Sequence, residues 1–170
     1  SIRNLKLEII GGKTIFKTNF SGDPGRDRFM NLKHPRSVSV VIDDEAVVDE
    51  LKRLGFNVKT WVNKETDEPT YYAKIVINFE DEDNRRSIIR RVSENGRKIR
   101  LDDETVGGLD NEIINHVDAY VSLWERSDGT ARNFYLDFMD VYVDEDRLPS
   151  WAREDEEYDE RGSEDEREPF

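Results

Sequence analysis

The sequence contains no cysteine and no long apolar run. The lack of cysteine excludes a disulfide framework, thiolate metal sites and a cysteine nucleophile. No apolar stretch approaches the roughly 18 residues that a membrane-spanning helix needs. The first ten residues, SIRNLKLEII, alternate polar and apolar side chains, which is unlike a signal peptide. These absences predict a cytoplasmic protein that does not contact a membrane.

Histidine is scarce too, since only His34 and His116 occur, and neither belongs to a metal-ligand spacing. No GxxxxGK[ST] phosphate loop is present. The acidic clusters at 43–45, 80–83 and 102–104 could be drawn as a two-metal nuclease site. A helix cap and two turns are the simpler interpretation. We therefore expect no enzyme, no metal and no cofactor, and keep a nuclease or recombination enzyme as an alternative.

Charge is abundant but unevenly distributed along the chain. The net charge is −13, and residues 144–170 alone hold 13 acidic and four basic side chains. By contrast, residues 1–36 carry eight Lys and Arg against three acids, and residues 84–100 carry seven against one. Such asymmetry indicates interaction surfaces in the body and an acidic appendage. We expect a domain over 1–143 and a disordered acidic tail over 144–170.

The hydrophobic pattern predicts a mainly β fold with one main helix. Ser37–Ile42 is a strand, Asp43 or Asp44 caps a helix that runs to about Leu54, and Gly55 is its expected C-cap. A small Greek-key barrel of the OB type fits this pattern, and a β-sandwich is the main rival. The other predicted strands are 3–10, 14–20, 56–62, 70–79, 87–92, 97–101, 113–125 and 130–143, and residues 101–109 are expected to hold a short helical turn.

One predicted hairpin has the residue types that bind single strands, namely cations for phosphates and aromatic faces for bases. Strand alternation places Lys59 and Trp61 on one face of their strand, and Tyr72 and Lys74 on one face of the next. With Val58 and Val62 turned to the core, these four side chains would form an exposed stacking platform. The alternative is that Trp61 and Tyr72 are ordinary packing residues.

Further cations and rings surround this platform in the sequence. The long segment 21–36 is predicted to be an exposed basic loop. Segments 84–92 and 97–100 are also basic, although paired arginines around apolar residues also describe a guarded sheet edge. Phe134, Leu136 and Phe138 alternate and are expected in the core. The remaining residues predicted to bind DNA are Lys17, Phe20, Arg26, Arg28, Phe29, Lys33 and Arg36, with Trp124 and Arg126 as a weaker extension.

The acidic end closes with Pro169 and Phe170. An anionic tail can compete with phosphates for a basic groove and then meet partner proteins when DNA displaces it. The ring of Phe170 would serve as an anchor in an apolar slot, with its carboxylate bonded to Arg or Lys. A merely solubilising tail is the alternative.

The final residues, EDEREPF, resemble the C-terminal tip of bacterial single-stranded-DNA-binding proteins. The body resembles phage single-stranded-DNA-binding proteins, in the stretch from Thr18 to Val62, in YYAKIVINF, in LDDETVGGLD and in INHVDAYVSLWE. That pattern covers about three quarters of the chain. Arg161 and Arg167 depart from the acidic tip, and the long Gly/Gln/Pro-rich linker of the bacterial proteins is absent.

The resemblance implies an OB-fold that coats single-stranded DNA in phage replication, recombination and repair, within the host cytoplasm. It also implies a tail that recruits replication proteins, such as a DNA polymerase, primase-helicase, recombinase or nuclease. That role falls on Asp165, Glu166, Pro169 and Phe170. Tail exchange between two chains would be one route to a homodimer. The alternative outside this class is an acidic interaction protein, such as a DNA mimic that inhibits host nucleases.

Overall fold

A computed structural model describes residues 2–3, 6–29, 32, 34–80, 86–125 and 132–146, and the fold is mainly β. The described residues form nine strands and one α-helix, α1, over Glu45–Arg53. Two 3₁₀ helices cover Pro24–Arg26 and Val106–Asn111. The strands are β1 (Ile2–Arg3), β2 (Lys6–Gly12), β3 (Ser37–Val41), β4 (Lys59–Val62), β5 (Pro69–Val76), β6 (Ile88–Val92), β7 (Lys98–Leu101), β8 (Ile114–Glu125) and β9 (Arg132–Val143).

The helix begins and ends where its sequence predicts. The Asp44 carboxylate accepts the backbone N–H groups of Ala46 at 3.0 Å and Val47 at 3.3 Å, which satisfies donors that the first turn leaves open. After Arg53 the chain turns at Gly55, whose φ of 86° favours glycine. The apolar face of α1 is buried against the sheet.

The sheet follows the order β1-β2-β8-β9-β5-β3, with β4 on β5 and the β6–β7 hairpin joined to β9 through β6. At the end of β2 the register with β8 shifts between Ile9 and Gly12, where Gly11 has a φ of 65°. The chain then runs beside β3, through bridges from Thr14 to Val40 and from Asn19 to Ser37. Residues 6–19 therefore meet β8 at one end and β3 at the other, which closes the sheet on itself. The expected mainly β class with one main helix is confirmed.

Three local expectations are wrong. Thr14–Phe20 does not form a strand, because it touches β3 only at the two isolated bridges. Val62 is exposed rather than in the core, because β4 pairs with β5 alone among the described strands. Phe138 is half-buried and lies opposite Tyr120, because the β8–β9 register shifts at this point.

Most of the other predicted elements are present within one or two residues. The pairs β4–β5, β6–β7 and β8–β9 are antiparallel, as expected for the three hairpins. Phe134 and Leu136 are buried in the core. The connection at 126–131 and residues 147–170 lie outside the described part of the chain. No helix among the described residues is long and apolar enough to cross a membrane.

Candidate nucleic-acid interface

The β4–β5 register brings the predicted platform residues to one face of the sheet. Lys59 pairs with Tyr72, and Trp61 pairs with Thr70. Directly opposed residues of an antiparallel pair share a face, and Lys74 lies two positions along β5 on that same side. The prediction that these four side chains belong to one face is therefore correct.

The expectation that Tyr72 lies exposed on this face is wrong, since its side chain is only 1% exposed. The ring of Phe16 meets the Tyr72 ring edge-on, with centroids 5.3 Å apart, and meets the Trp61 ring at 6.4 Å. Phe16 reaches this place through a left-handed backbone turn with φ of 62°. Tyr72 therefore cannot stack on a base, while Trp61 is half-buried and Lys59 is half-buried beside it.

Lys74 does not offer a solvated ammonium to a phosphate. Its Nζ lies 2.7 Å from Oδ2 of Asp27, and the two side chains are 23% and 8% exposed. A carboxylate at this distance neutralises the lysine charge locally. The expectation of Lys74 as an exposed cation is therefore wrong.

Phe20 is fully buried in the core, so the expectation that it stacks on a base is also wrong. The segment around it is fixed by the carboxylate of Asp110. That carboxylate accepts the Thr18 hydroxyl at 2.8 Å, the Phe20 N–H at 2.9 Å and the Ser21 N–H at 3.0 Å. The expected loop is thus attached to the 3₁₀ helix of residues 106–111.

Two of the predicted phosphate ligands brace this loop from within. Arg26 donates to the carbonyl of Thr18 at 2.7 Å and lies 3.4 Å from the Asp110 carboxylate. Arg36 donates to the carbonyls of Phe20 at 2.9 Å and Asp103 at 3.1 Å. Both side chains are half-buried. These two arginines are therefore not the solvated cations that were expected to contact the phosphates of DNA.

Asn19 joins the two ends of the loop. Its side-chain carbonyl accepts the N–H groups of Gly22 and Asp23, both at 3.0 Å. Its amide donates to the carbonyls of Asp23 at 3.2 Å and Pro35 at 3.3 Å. Through these bonds a buried side chain connects the start of the loop, at Gly22 and Asp23, to its end at Pro35.

The tip of the loop, Arg28 and Phe29, keeps its predicted exposure. The Phe29 side chain is 44% exposed, and the Arg28 guanidinium lies 5.2 Å from the centre of its ring. The Phe29 N–H donates to Oδ1 of Asp27 at 2.9 Å, which orders the turn beneath the ring. An exposed ring beside an exposed arginine is the pair of groups that single-strand binding uses.

Of the other residues predicted to bind DNA or partners, some belong to the part of the chain that the structure describes and some do not. Lys17 is exposed beside Phe16. Lys33, Arg126 and the side chain of Trp124 lie outside the described residues, as do the tail residues Asp165, Glu166, Pro169 and Phe170.

The second basic segment, the β6–β7 hairpin, has its central arginines bonded to acids. Arg90 makes two bonds to the Asp140 carboxylate, at 2.7 and 2.9 Å, and Arg91 contacts Glu112 at 3.1 Å and Glu145 at 3.3 Å. The hydrogen bonds that Arg90 donates to the Asp140 carboxylate raise the pKa of Arg90 from its ordinary value. These ion pairs connect the hairpin to β9 through Asp140 and to the residues beside β8 and β9 through Glu112 and Glu145.

The acidic clusters behave as caps and turns wherever they are described. Asp44 caps α1, and Asp102 accepts the N–H groups of Glu104 and Thr105, each at 2.9 Å. Hydrogen bonds, first from the Thr105 hydroxyl, lower the pKa of Asp102. Within the described ranges, no group of three or more His, Cys, Asp and Glu is suited to hold a metal.

Four residues important for this interface were not predicted from the sequence: Phe16, Asn19, Asp27 and Asp110. Asn19 precedes a Gly-Asp-Pro-Gly turn, which is a recognisable signal for a side chain that bonds to nearby backbone. The contacts of Phe16 and Asp110 join segments 45 to 92 positions apart, and local patterns carry no such information.

The basic loop of this closed sheet carries an exposed arginine and an exposed ring, the two kinds of group that bind single strands. Residues 1–147 match the family model described as "Putative phage ssDNA-binding domain". The chain therefore belongs to this family of phage single-stranded-DNA-binding domains, and the resemblance seen in the sequence is confirmed.

A crystal structure of gp2.5, a single-stranded DNA binding protein encoded by bacteriophage T7, is similar at a TM-score of 0.46 and 12% identity. The match covers 91% of this chain and 93% of gp2.5. No curated protein sequence matches the chain.

Proposed function

We propose that this protein binds single-stranded DNA without catalysing a reaction, and that it coats the strand during phage replication, recombination and repair. The family match over residues 1–147 is the observation that carries the proposal. Backbone capture would be electrostatic and bases would stack on exposed rings, which gives salt-sensitive binding with little sequence preference.

The interface is centred on the Arg28–Phe29 tip and on the face of β4 that carries Lys59 and Trp61. The Asp27–Lys74 bond ties the tip to this face of the sheet. Lys74 is four residues along β5 from Thr70, the partner of Trp61, which corresponds to about 13 Å of strand. A strand of DNA can thus run from Phe29 towards Trp61, with Lys17, Lys33, Trp124 and Arg126 as further proposed contacts.

A fluorescence titration with oligo(dT), compared with a duplex of equal length, tests the proposal. We expect the single strand to bind tightly and to quench the tryptophan fluorescence, and the duplex to bind weakly. Affinity for oligo(dT) should fall steeply as salt rises, because bound cations are released with each phosphate contact. Equal binding to both forms, or binding to neither, would reject the function.

The acidic residues of 144–170 are proposed to compete with DNA for the interface and to recruit replication proteins through Asp165, Glu166, Pro169 and Phe170. The net charge of −9 in this segment is what supports the competition. Deleting residues 162–170 should strengthen DNA binding while abolishing stimulation of a polymerase or helicase. If neither property changes, the segment is only solubilising.

The same titration distinguishes the proposed function from the two alternatives, a DNA mimic and a nuclease. A DNA mimic that blocks nucleases would fail to bind oligo(dT) even after removal of residues 144–170. A nuclease would instead degrade the oligonucleotide when Mg²⁺ or Mn²⁺ is added. Homodimerisation remains a prediction that the elution volume on a calibrated column can test.

A further inference from the structure

An ion pair joins the exposed tip to the sheet. Asp27 uses both carboxylate oxygens, because Oδ2 lies 2.7 Å from Nζ of Lys74 and Oδ1 accepts the Phe29 N–H at 2.9 Å. One carboxylate therefore connects β5 directly to the backbone of the residue that carries the exposed ring.

This pair is largely removed from solvent, at 23% exposure for the Lys74 side chain and 8% for that of Asp27. Removal of one partner from such a pair leaves the other charge buried and uncompensated. An unpaired Asp27 would need water, and the backbone at Phe29 would move with it. Lys74 is thus one of the residues that fix the location of the tip.

We infer that Lys74 and Asp27 are positioning residues, which hold Arg28 and Phe29 over the sheet so that ring and guanidinium are ready for a DNA strand. Lys74 acts through the tip and makes no phosphate contact of its own. The inference rests on the proposed function, since it explains how the same interface is ordered before DNA binds. A rigid, pre-ordered contact loses less conformational entropy on binding than a mobile one.

A double-mutant cycle tests this role. Lys74→Met should weaken oligo(dT) binding by up to the roughly tenfold loss expected for one stacked base. In the tip-deficient background Arg28→Gln/Phe29→Ala, the same substitution should change neither the affinity nor its dependence on salt. If Lys74→Met still weakens oligo(dT) binding in this background, and the slope of log K against log salt falls by about 0.7, Lys74 is a phosphate ligand and the inference is overturned.

Two further variants control for charge and for folding. Lys64→Met removes an equal charge from the β4–β5 turn, at an exposed position away from the tip, and should leave affinity nearly unchanged. Asp27→Asn retains an acceptor for the Phe29 N–H but loses the ion pair, so it should reproduce the Lys74→Met defect. If neither Lys74→Met nor Asp27→Asn alters affinity, the inference is wrong.

A measurement without DNA separates this inference from the proposed function. Hydrogen exchange of the Phe29 amide should be faster in Lys74→Met than in the parent protein, while amides of β8 keep their rates. Faster exchange in a protein that fails to bind oligo(dT) would reject the function and retain the positioning role. Unchanged exchange at Phe29 would overturn the positioning role whatever the affinity for DNA.

Discussion

Residues 1–36 and 84–100 are the two basic segments of the sequence, with net charges of +5 and +6. In the first segment, Arg26 and Arg36 bond to backbone carbonyls, and Arg28 remains exposed beside Phe29 at the tip. In the second, the central arginines Arg90 and Arg91 are bonded to carboxylates, while Arg97 and Arg100 are exposed.

The difference shows that a basic segment of the sequence does not always form a basic surface on the folded protein. Arg26 meets Asp110 from 84 positions away, and Arg90 meets Asp140 from 50 positions away. Distant carboxylates therefore decide which cations remain available to a phosphate. Only the loop combines an available cation with an exposed aromatic ring among the residues that the structure describes in these two segments.

The largest effect is expected from removing the anchor of the loop. Asp110→Ala leaves the Thr18 hydroxyl and the Phe20 N–H without their acceptor, at a cost of about 1–3 kcal/mol for each buried group. We expect a loss of about 3 kcal/mol in the free energy of unfolding, measured by urea titration, together with weaker DNA binding.

Glu112→Ala is the matched change in the second segment, because Glu112 binds Arg91 at a partly exposed site. It should cost less stability and should leave DNA affinity unchanged. A larger loss of affinity in Glu112→Ala than in Asp110→Ala would reverse the comparison between the two segments.

The next effect concerns the exposed ring. Phe29→Ala should weaken oligo(dT) binding about tenfold, because a stacked base contributes roughly 1–3 kcal/mol. Its stability should change little, since the ring is 44% exposed. Ile99→Ala in β7, also an exposed apolar residue, serves as the control and should bind like the parent protein. Equal affinities for all three proteins would exclude stacking on Phe29.

The smallest effect concerns single charges. Arg28→Gln should weaken binding a few-fold and lower the slope of log K against log salt by about 0.7, as expected for one lost phosphate contact on a single strand. Arg97→Gln removes an exposed charge from the hairpin and should leave this slope unchanged. A lower slope in Arg97→Gln would instead extend the DNA path onto the β6–β7 hairpin.

Local sequence signals predicted most of the fold. Alternation in 59–62 and 70–76 gave the correct shared face, and Asp44 with Gly55 gave the correct limits of α1. These features depend on neighbours within a few residues, which is why the sequence alone predicts them. Val62 and Phe138 were misplaced because an edge position and a register shift depend on strands distant in the sequence.

In the candidate site, the sequence predicted the exposure of Arg28 and Phe29 and the shared face of Lys59 and Trp61. Strand alternation says which side chains share a face, but it does not say what covers that face. Phe16 covers Tyr72, and Asp27 neutralises Lys74, so two of the four platform residues cannot meet DNA as expected. Trp61 and Lys59 stay half-buried beside them.

The sequence by itself determined a mainly β fold with one capped helix, a basic loop and a strongly acidic composition over residues 144–170, because periodicity, turn chemistry and net charge are local properties of the chain. Only the tertiary structure decided which charges and rings remain available. Ion pairs and ring contacts form between segments that the closure of the sheet brings together, and burial follows from those contacts.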